Sequence, residues 1–313
     1  MLISVIIPCY NEEKVIAESH KRLINVFIDN NLNNYELIFI DDGSHDSTLN
    51  ILRDIASQDS NVKLVIFSRN FGHQAAVSAG LKECRGDVAI IIDADLQDPP
   101  EVIPEMLEVL EKERCNVVYG VRNRRKGESF LKLLTAKIFY RLLNSLSDFS
   151  FPVDSGDFRL VDRNIINAFN NLHEKTKYVR GLIAWLGYKQ CPVYYDRDAR
   201  FAGETKYPFH KMLKFASTCL LYFSKKPLKI AALLGFSCTM AGFMFGFWVV
   251  INSILGIEHV VSGWASIIVI TIFFGGLQLL SIGVLGQYIG SLFDEVKNRP
   301  EYIIAQKENF NDQ

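Results

Sequence analysis

The chain has neither a Gly-X-X-X-X-Gly-Lys-Ser/Thr loop nor a Gly-X-Gly-X-X-Gly turn. That excludes the two commonest glycine-rich phosphate cradles. Cysteine is sparse and scattered, at positions 9, 84, 115, 191, 219 and 238, with no Cys-X-X-Cys pair. The spacing argues against a thiolate metal finger or a disulfide framework, and fits small apolar packing roles in a reducing compartment. A net charge of -1, from 34 basic and 35 acidic residues, leaves no basic excess to recruit nucleic acid, and none is expected as a partner. No internal repeat or low-complexity stretch is present.

Charge itself is missing from two long stretches. Residues 230–255 and 260–293 contain no Asp, Glu, Lys or Arg, and each run exceeds the roughly 20 residues that cross a bilayer. They are expected to be two transmembrane helices; the competing reading is a pair of buried core helices in a large soluble domain. Lys225, Lys226 and Lys229 precede the first stretch, Lys297 and Arg299 follow the second, and the connector around Glu258 and His259 has no Lys or Arg. This asymmetry predicts cytoplasmic termini. Met1 runs directly into the strand-like residues 2–7, so no leader is expected and the soluble part should stay in the cytoplasm, attached to the inner membrane. The expected division is a cytoplasmic domain over 1–225, a two-helix hairpin over 226–293 and a cytoplasmic tail over 294–313.

The first 125 residues alternate regularly. Apolar β-rich runs at 2–7, 36–40, 62–67, 88–92 and 116–121 are separated by helical patterns at about 12–30, 47–58, 73–83 and 100–113. This predicts an α/β domain with a mostly parallel sheet and helices on both faces. Ligands then bind at the carboxyl ends of the strands. After the first strand come Pro8, Cys9, Tyr10, Asn11 and Glu12; after the second, Asp41, Asp42, Gly43 and Ser44; after the fourth, Asp93 and Asp95.

Asp93 and Asp95 leave a strand with Ile at three successive positions, 90–92. Two carboxylates two residues apart in extended chain point to one side and repel unless positive charge lies between them. A Mg²⁺ or Mn²⁺ ion shared with substrate phosphates would supply that charge. A solvated acidic turn before the helix that Pro99 and Pro100 begin is the other reading.

Three segments carry a resemblance: Pro8-Cys9-Tyr10-Asn11-Glu12, Asp41-Asp42-Gly43-Ser44-His45-Asp46-Ser47-Thr48, and Asp93-Ala94-Asp95-Leu96-Gln97-Asp98-Pro99-Pro100. Together, in order and at strand ends, they are similar to the signature of family 2 glycosyltransferases of the GT-A, Rossmann-like fold. The resemblance implies that Pro8, Tyr10, Asn11, Glu12 and Asp42 line a nucleoside pocket. Asp93 would reach the nucleotide, and Asp95 with Gln97, and Asp93 beside them, would hold Mg²⁺ or Mn²⁺ on the diphosphate.

Within that family, the Asp-Leu-Gln-Asp-Pro-Pro-Glu form and the two apolar stretches resemble polyprenyl-phosphate glycosyltransferases, in particular the bactoprenol glucosyltransferase group. Processive polysaccharide synthases would carry a Gln-X-X-Arg-Trp motif, which is missing. The resemblance implies inverting transfer from a UDP-sugar to undecaprenyl (polyprenyl) phosphate at the cytoplasmic leaflet, for cell-envelope polysaccharide such as O-antigen. Glucose is the favoured sugar; 4-amino-4-deoxyarabinose, N-acetylhexosamine, galactose and mannose from GDP-mannose stay open. A homotetramer is the family-like assembly, with Gly242, Gly246, Gly275, Gly276, Gly283, Gly286 and Gly290 offering close packing surfaces in the bilayer.

Basic amphipathic patterns at 130–147 and 207–223 read as helices in the headgroup plane or as globular helices with a solvated basic edge. Arg122, Arg124, Arg125, Arg159, Arg200 and Lys206 are candidates to hold the lipid phosphate, the last two in a segment resembling a mobile acceptor loop. Asp157, in Ser-Gly-Asp-Phe-Arg, is the carboxylate placed nearest the anomeric carbon by resemblance; the other reading is a salt-bridge partner of Arg159. The rival function is a non-enzymatic nucleotide-binding protein whose hairpin joins a flippase, but neither apolar stretch holds an ionisable residue with acid or base charge to mark a pathway.

Overall fold

Seven consecutive buried residues form the first strand, β1 (Ile3–Cys9). A computed structural model describes residues 1–122, 155–174, 177–196, 226–255 and 264–310. The amphipathic stretches at 130–147 and 207–223, with Arg124, Arg125, Arg200 and Lys206, lie outside the described residues.

After β1 come α1 (Ile16–Asp29), β2 (Tyr35–Asp41), α2 (Thr48–Gln58), β3 (Val62–Phe67), α3 (His73–Glu83) and β4 (Val88–Ile91). A 3-10 turn at Pro100–Val102 leads into α4 (Ile103–Lys112) and β5 (Val117–Arg122). Beyond the undescribed segment stand β6 (Ser155–Asp162), α5 (Arg163–Asn170), α6 (Val179–Trp185) and β7 (Gln190–Tyr195), then the long helices α7 (Lys226–Ile254) and α8 (Trp264–Val296) and a last strand, β8 (Ile304–Glu308).

The strands form one sheet in the order β7-β5-β6-β4-β1-β2-β3-β8. The centre, β4-β1-β2-β3, is parallel, as expected for mostly apolar strands covered on both faces. β6 runs antiparallel between β4 and β5, and β8 antiparallel along β3. The sheet is therefore mixed: the α/β, GT-A-like architecture is present, and the antiparallel strands come from sequence beyond the regular alternation.

One face of the sheet, with Val5, Ile7, Phe39 and Ile90, packs against Leu23 and Phe27 of α1, Leu52 of α2 and Met106 of α4 in one buried core. The opposite face receives α3. A Cβ on Gly80 would lie 2.3 Å from Ile6 Cγ2, so glycine lets α3 sit close on β1.

Two compact units emerge. The described residues before 209, with those from Arg299 onward, form the sheet unit; 226–298 form the other. The residues read from the sequence as a tail thus contribute β8 to the sheet. Arg53 donates to Glu308 and Gln306, Asn309 Nδ2 donates to the Ala56 and Val62 carbonyls, and Tyr302 stacks on Phe67. In the helical unit, Phe273–Val296 is the one stretch among the described residues long and apolar enough to cross a membrane by length and composition; Leu228–Met244 is a shorter apolar stretch. Side chains such as Phe236, Phe243, Leu279 and Leu292 are exposed.

Candidate active site

The parallel strands β1, β2, β3 and β4 all end at one edge of the sheet, and the loops there are tied to one another by side chains. Asn11, at φ 54, accepts from His45 N at 2.9 Å through Oδ1, while its own N–H donates to Ser44 Oγ at 3.0 Å. Glu12 N donates to Thr48 Oγ1 at 2.8 Å, and Asp46 accepts from Glu13 N and Thr48 N. Most of the Asp41–Thr48 signature thus fastens the β2 exit to the β1 exit. Gly43 is required by geometry: φ is +68, and a Cβ would lie 2.6 Å from the Arg69 carbonyl carbon.

Asp42 is buried, and its two oxygens accept from Phe71 N at 2.6 Å and Gly72 N at 2.9 Å. Burial pushes its carboxyl above the ordinary value, against those two N–H groups. The structure places this side chain under the loop after β3. Pro8 is a buried strand residue paired with Ile40, beyond the last β1–β4 partners Ile6 and Ile91, where a missing N–H is tolerated. Tyr10 and Glu12 stand half-exposed at the edge.

At the β4 exit, half-exposed Asp93, Asp95 and Gln97 alternate with buried Ala94, Leu96 and Asp98. Gln97 N donates to Asp95 Oδ1 at 3.1 Å, and Leu96 takes φ 59, a left-handed backbone uncommon for a branched apolar residue. The alternation turns the three candidate donors to one side.

Register carries Asp157 to the same place. Ile91, the last residue of β4, is the antiparallel partner of Arg159, so Asp93, two residues beyond β4, and Asp157, two residues earlier in β6, come close to one another. Between them stands His73, the first residue of α3: its Nε2 is 3.7 Å from Asp93 Oδ1 and 3.4 Å from Asp157 Oδ2. Arg180 Nε, from α6, approaches Asp157 Oδ1 at 2.9 Å.

The electrostatics separate the two acids. Burial raises the Asp93 carboxyl to about 6, with Asp157, Asp95 and Asp98 adding to it and His73 opposing. For Asp157 burial pushes the same way, but Arg180, His73 and Arg159 overcome it and hold the carboxyl well below the usual range. Burial lowers His73, yet Asp157 and Asp93 outweigh it and lift the imidazole to about 9. Arg159 is 3% exposed, lowered to about 10 by burial, and donates to the Gly156 carbonyl at 3.1 Å. It lies beneath Asp157, away from solvent.

Arg122 is also engaged. Its guanidinium meets buried Asp98 at 3.4 Å, and Tyr195 OH donates to the same Asp98 oxygen at 2.5 Å. A Cβ on Gly156 would lie 2.9 Å from Arg122 Nη2, so glycine leaves room for the guanidinium there.

Among the described residues no group of three or more His, Cys, Asp or Glu side chains is arranged to hold a metal ion. The chemistry at the β4 exit still suits a hard divalent cation. Burial is the main reason the Asp93 carboxyl is raised, and the negative charge of Asp157, Asp95 and Asp98 adds to it, so positive charge placed there would be favourable. Few protein ligands, completed by substrate phosphates, is the ordinary Mg²⁺ arrangement.

His73 and Arg180 were not anticipated from the sequence. The signature segments follow the first, second and fourth strands, whereas His73 comes from the loop after the third, Ser68 to Gly72. The signal was its position at the same sheet edge, with a histidine directly after a glycine at a helix start.

The chain is similar along nearly its whole length to an uncharacterized glycosyltransferase of Bacillus subtilis, at 49% identity over 303 residues, 97% of this chain and 93% of that protein. It is similar to a prophage bactoprenol glucosyl transferase homolog of Escherichia coli, at 37% over 306 residues, 98% of this chain and 99% of the relative. It is likewise 37% identical over 311 residues to the bactoprenol glucosyl transferase of Shigella phage SfII, covering 99% and 100%. Residues 4–169, running from β1 into α5 and including the facing acids and His73, match the glycosyl transferase family 2 description, and the chain belongs to that family.

Proposed function

We propose that this protein transfers a sugar, glucose in the first instance, from its UDP conjugate to polyprenyl phosphate, with inversion, at the cytoplasmic membrane face. The near-full-length similarity to two proteins named as bactoprenol glucosyl transferases or their homologues carries this reading. The acid pair at the sheet edge supplies a place for the chemistry.

In this reading the nucleotide lies along the exits of β1, β2 and β4, beside Tyr10, Glu12 and Asp93. A divalent cation, when bound by Asp95 with Asp93 and Gln97, would neutralise the departing diphosphate. The acceptor is a phosphate monoester with a second pKa of about 6, largely dianionic at neutral pH. Its oxygen forms the new bond to the anomeric carbon as the bond from that carbon to the UDP oxygen breaks, and no proton need be removed from it. Asp157, held ionised by Arg180 and His73, would stabilise the oxocarbenium-like transition state by charge and position. Arg159 adds positive charge beneath, and Arg122, Arg125, Arg200 and Lys206 are further acceptor-side cations on this reading.

The fold supports two membrane crossings. β8 pairs with β3, so the chain after α8 is on the same side of any membrane as the sheet. If Phe273–Val296 crosses, an even number of crossings is needed, and among the described residues α7, with its apolar stretch Leu228–Met244, is a candidate for the other. The exposed apolar side chains of both helices then face lipid.

The test is incubation of the purified full chain with labelled UDP-glucose, undecaprenyl phosphate and Mg²⁺ or Mn²⁺. Labelled polyprenyl-linked sugar is expected from the wild type, and an Asp95→Asn variant should lose most turnover. No labelled lipid from wild type with any nucleotide sugar in a panel would overturn the reading; full activity in Asp95→Asn, or in excess chelator, would remove the metal from it.

A further inference from the structure

Gly72, at φ +101, turns the chain into α3, and His73 follows it as the first helical residue. The peptides before it are fixed by Asp42, whose oxygens hold Phe71 N and Gly72 N. The backbone leading into His73 is thus anchored by Asp42, at the exit of β2. Its Nε2 lies 3.4 Å from Asp157 Oδ2 and 3.7 Å from Asp93 Oδ1. On the other side, Arg180 reaches Asp157 Oδ1 at 2.9 Å. The helix carrying Arg180 is itself fastened to the start of α3, because Val179 N donates to Gln74 Oε1 at 2.9 Å. Neighbouring residues of α3 and neighbouring residues of α6 therefore build one frame around a single carboxylate.

We propose that His73 is a positioning residue of the transfer reaction: with Arg180 it holds the two oxygens of Asp157 separately, and it spans from Asp157 to Asp93, fixing the acceptor-side acid relative to the donor-side acid. This rests on the reading of the chain as a polyprenyl-phosphate sugar transferase. A carboxylate with a cation close to each oxygen is electrostatically restrained in orientation, which suits a fixed negative charge beside the anomeric carbon. Sub-ångström drift of that charge relative to the diphosphate side would erode the transition state without weakening either substrate's binding.

The experiment uses the full chain in detergent, with UDP-glucose and undecaprenyl phosphate as substrates. His73→Ala should lower kcat about 10²-fold, with KM for both substrates within about threefold of wild type. His73→Gln, which offers an amide N–H at similar reach, should recover about tenfold of that loss. Independently of turnover, a double-mutant cycle on His73→Gln and Asp157→Asn, read by thermal unfolding, should be non-additive if the two side chains interact. An active wild type with unchanged kcat in His73→Ala, a Gln variant no better than Ala, or additive unfolding shifts would each overturn the proposal. A wild type inactive with every donor, but with a non-additive cycle, would overturn the assigned reaction while leaving the His73–Asp157 contact in place.

Discussion

Asp42 offers the sharpest separation between holding a loop and holding a substrate. Its carboxylate accepts from Phe71 N at 2.6 Å and Gly72 N at 2.9 Å, and both residues are half-buried. Removing the acceptor strands two backbone donors, each costing about 1–2 kcal/mol where water has partial access. Asp42→Ala should therefore destabilise the sheet unit by about 2–4 kcal/mol, and Asp42→Asn, which turns one amide N–H against a backbone N–H, by about half as much. For a domain of this size that is a fall in Tm of about 5–15 °C for the alanine variant. Because the same loop sets His73, kcat should fall with stability, while KM for UDP-glucose changes little. Thermal unfolding of the full chain alongside steady-state kinetics reads both. If Asp42→Asn raises donor KM with Tm unchanged to within about 1 °C, the side chain contacts the nucleotide directly and the loop-anchor reasoning is wrong.

Two further predictions concern stability. Gly43→Ala places a Cβ against the Arg69 and Asn70 backbone at φ +68 and should cost about 3 kcal/mol, seen as a lowered Tm; an unchanged Tm would mean the two loops move apart freely. Buried Glu36 accepts from Ser4 Oγ, Arg85 N and Lys63 Nζ. Burial pushes its carboxyl up, but these partners outweigh that and hold it below 4.5. A depressed carboxyl contributes stability above its unfolded value and loses it as pH falls through the folded one. Stability should thus drop below pH 4.5 in wild type, and Glu36→Gln should flatten that decline while costing about 3 kcal/mol at neutral pH by stranding Lys63. A parallel acid decline in both proteins would place the titration elsewhere.

Periodicity made the first half legible. The five strands and four helices before Arg122 fall where apolar alternation put them, because each needs only its own pattern and a neighbour in the sheet. The boundary errors have local causes. The pattern predicts a helix from about residue 12; the chain there makes a turn, with Val15 N and Ile16 N both donating to the Glu12 carbonyl, and α1 begins at Ile16. The 100–113 helix opens as a 3-10 turn because Pro104 has no N–H to donate to the Pro100 carbonyl, which accepts from Ile103 N instead. β6 was not foreseen: Asp157 and Arg159 interrupt its apolar pattern, and it is a strand because β4 and β5 flank it. β8, Ile-Ala-Gln-Lys-Glu, is polar and pairs on one side only, with β3 more than 230 residues earlier in the chain.

The site was legible to the same degree and for the same reason. Asp93, Asp95 and Gln97 were found because they leave a recognisable strand, whereas Arg180 meets Asp157 only after α5 and α6 have folded onto the sheet. What the sequence concealed most is the asymmetry between two facing carboxylates. Burial pushes both carboxyls up; at Asp157 Arg180, His73 and Arg159 overcome it and hold the group well below the usual range, whereas at Asp93 His73 opposes it, Asp157, Asp95 and Asp98 add to it, and the group is lifted to about 6. Facing acids whose surroundings push them apart are suited to different tasks. The balanced one can serve as a permanent charge without help from substrate or ion. The crowded one marks the side where added positive charge is most favourable, and that is the side where the diphosphate of a nucleotide sugar, itself anionic, would otherwise be repelled.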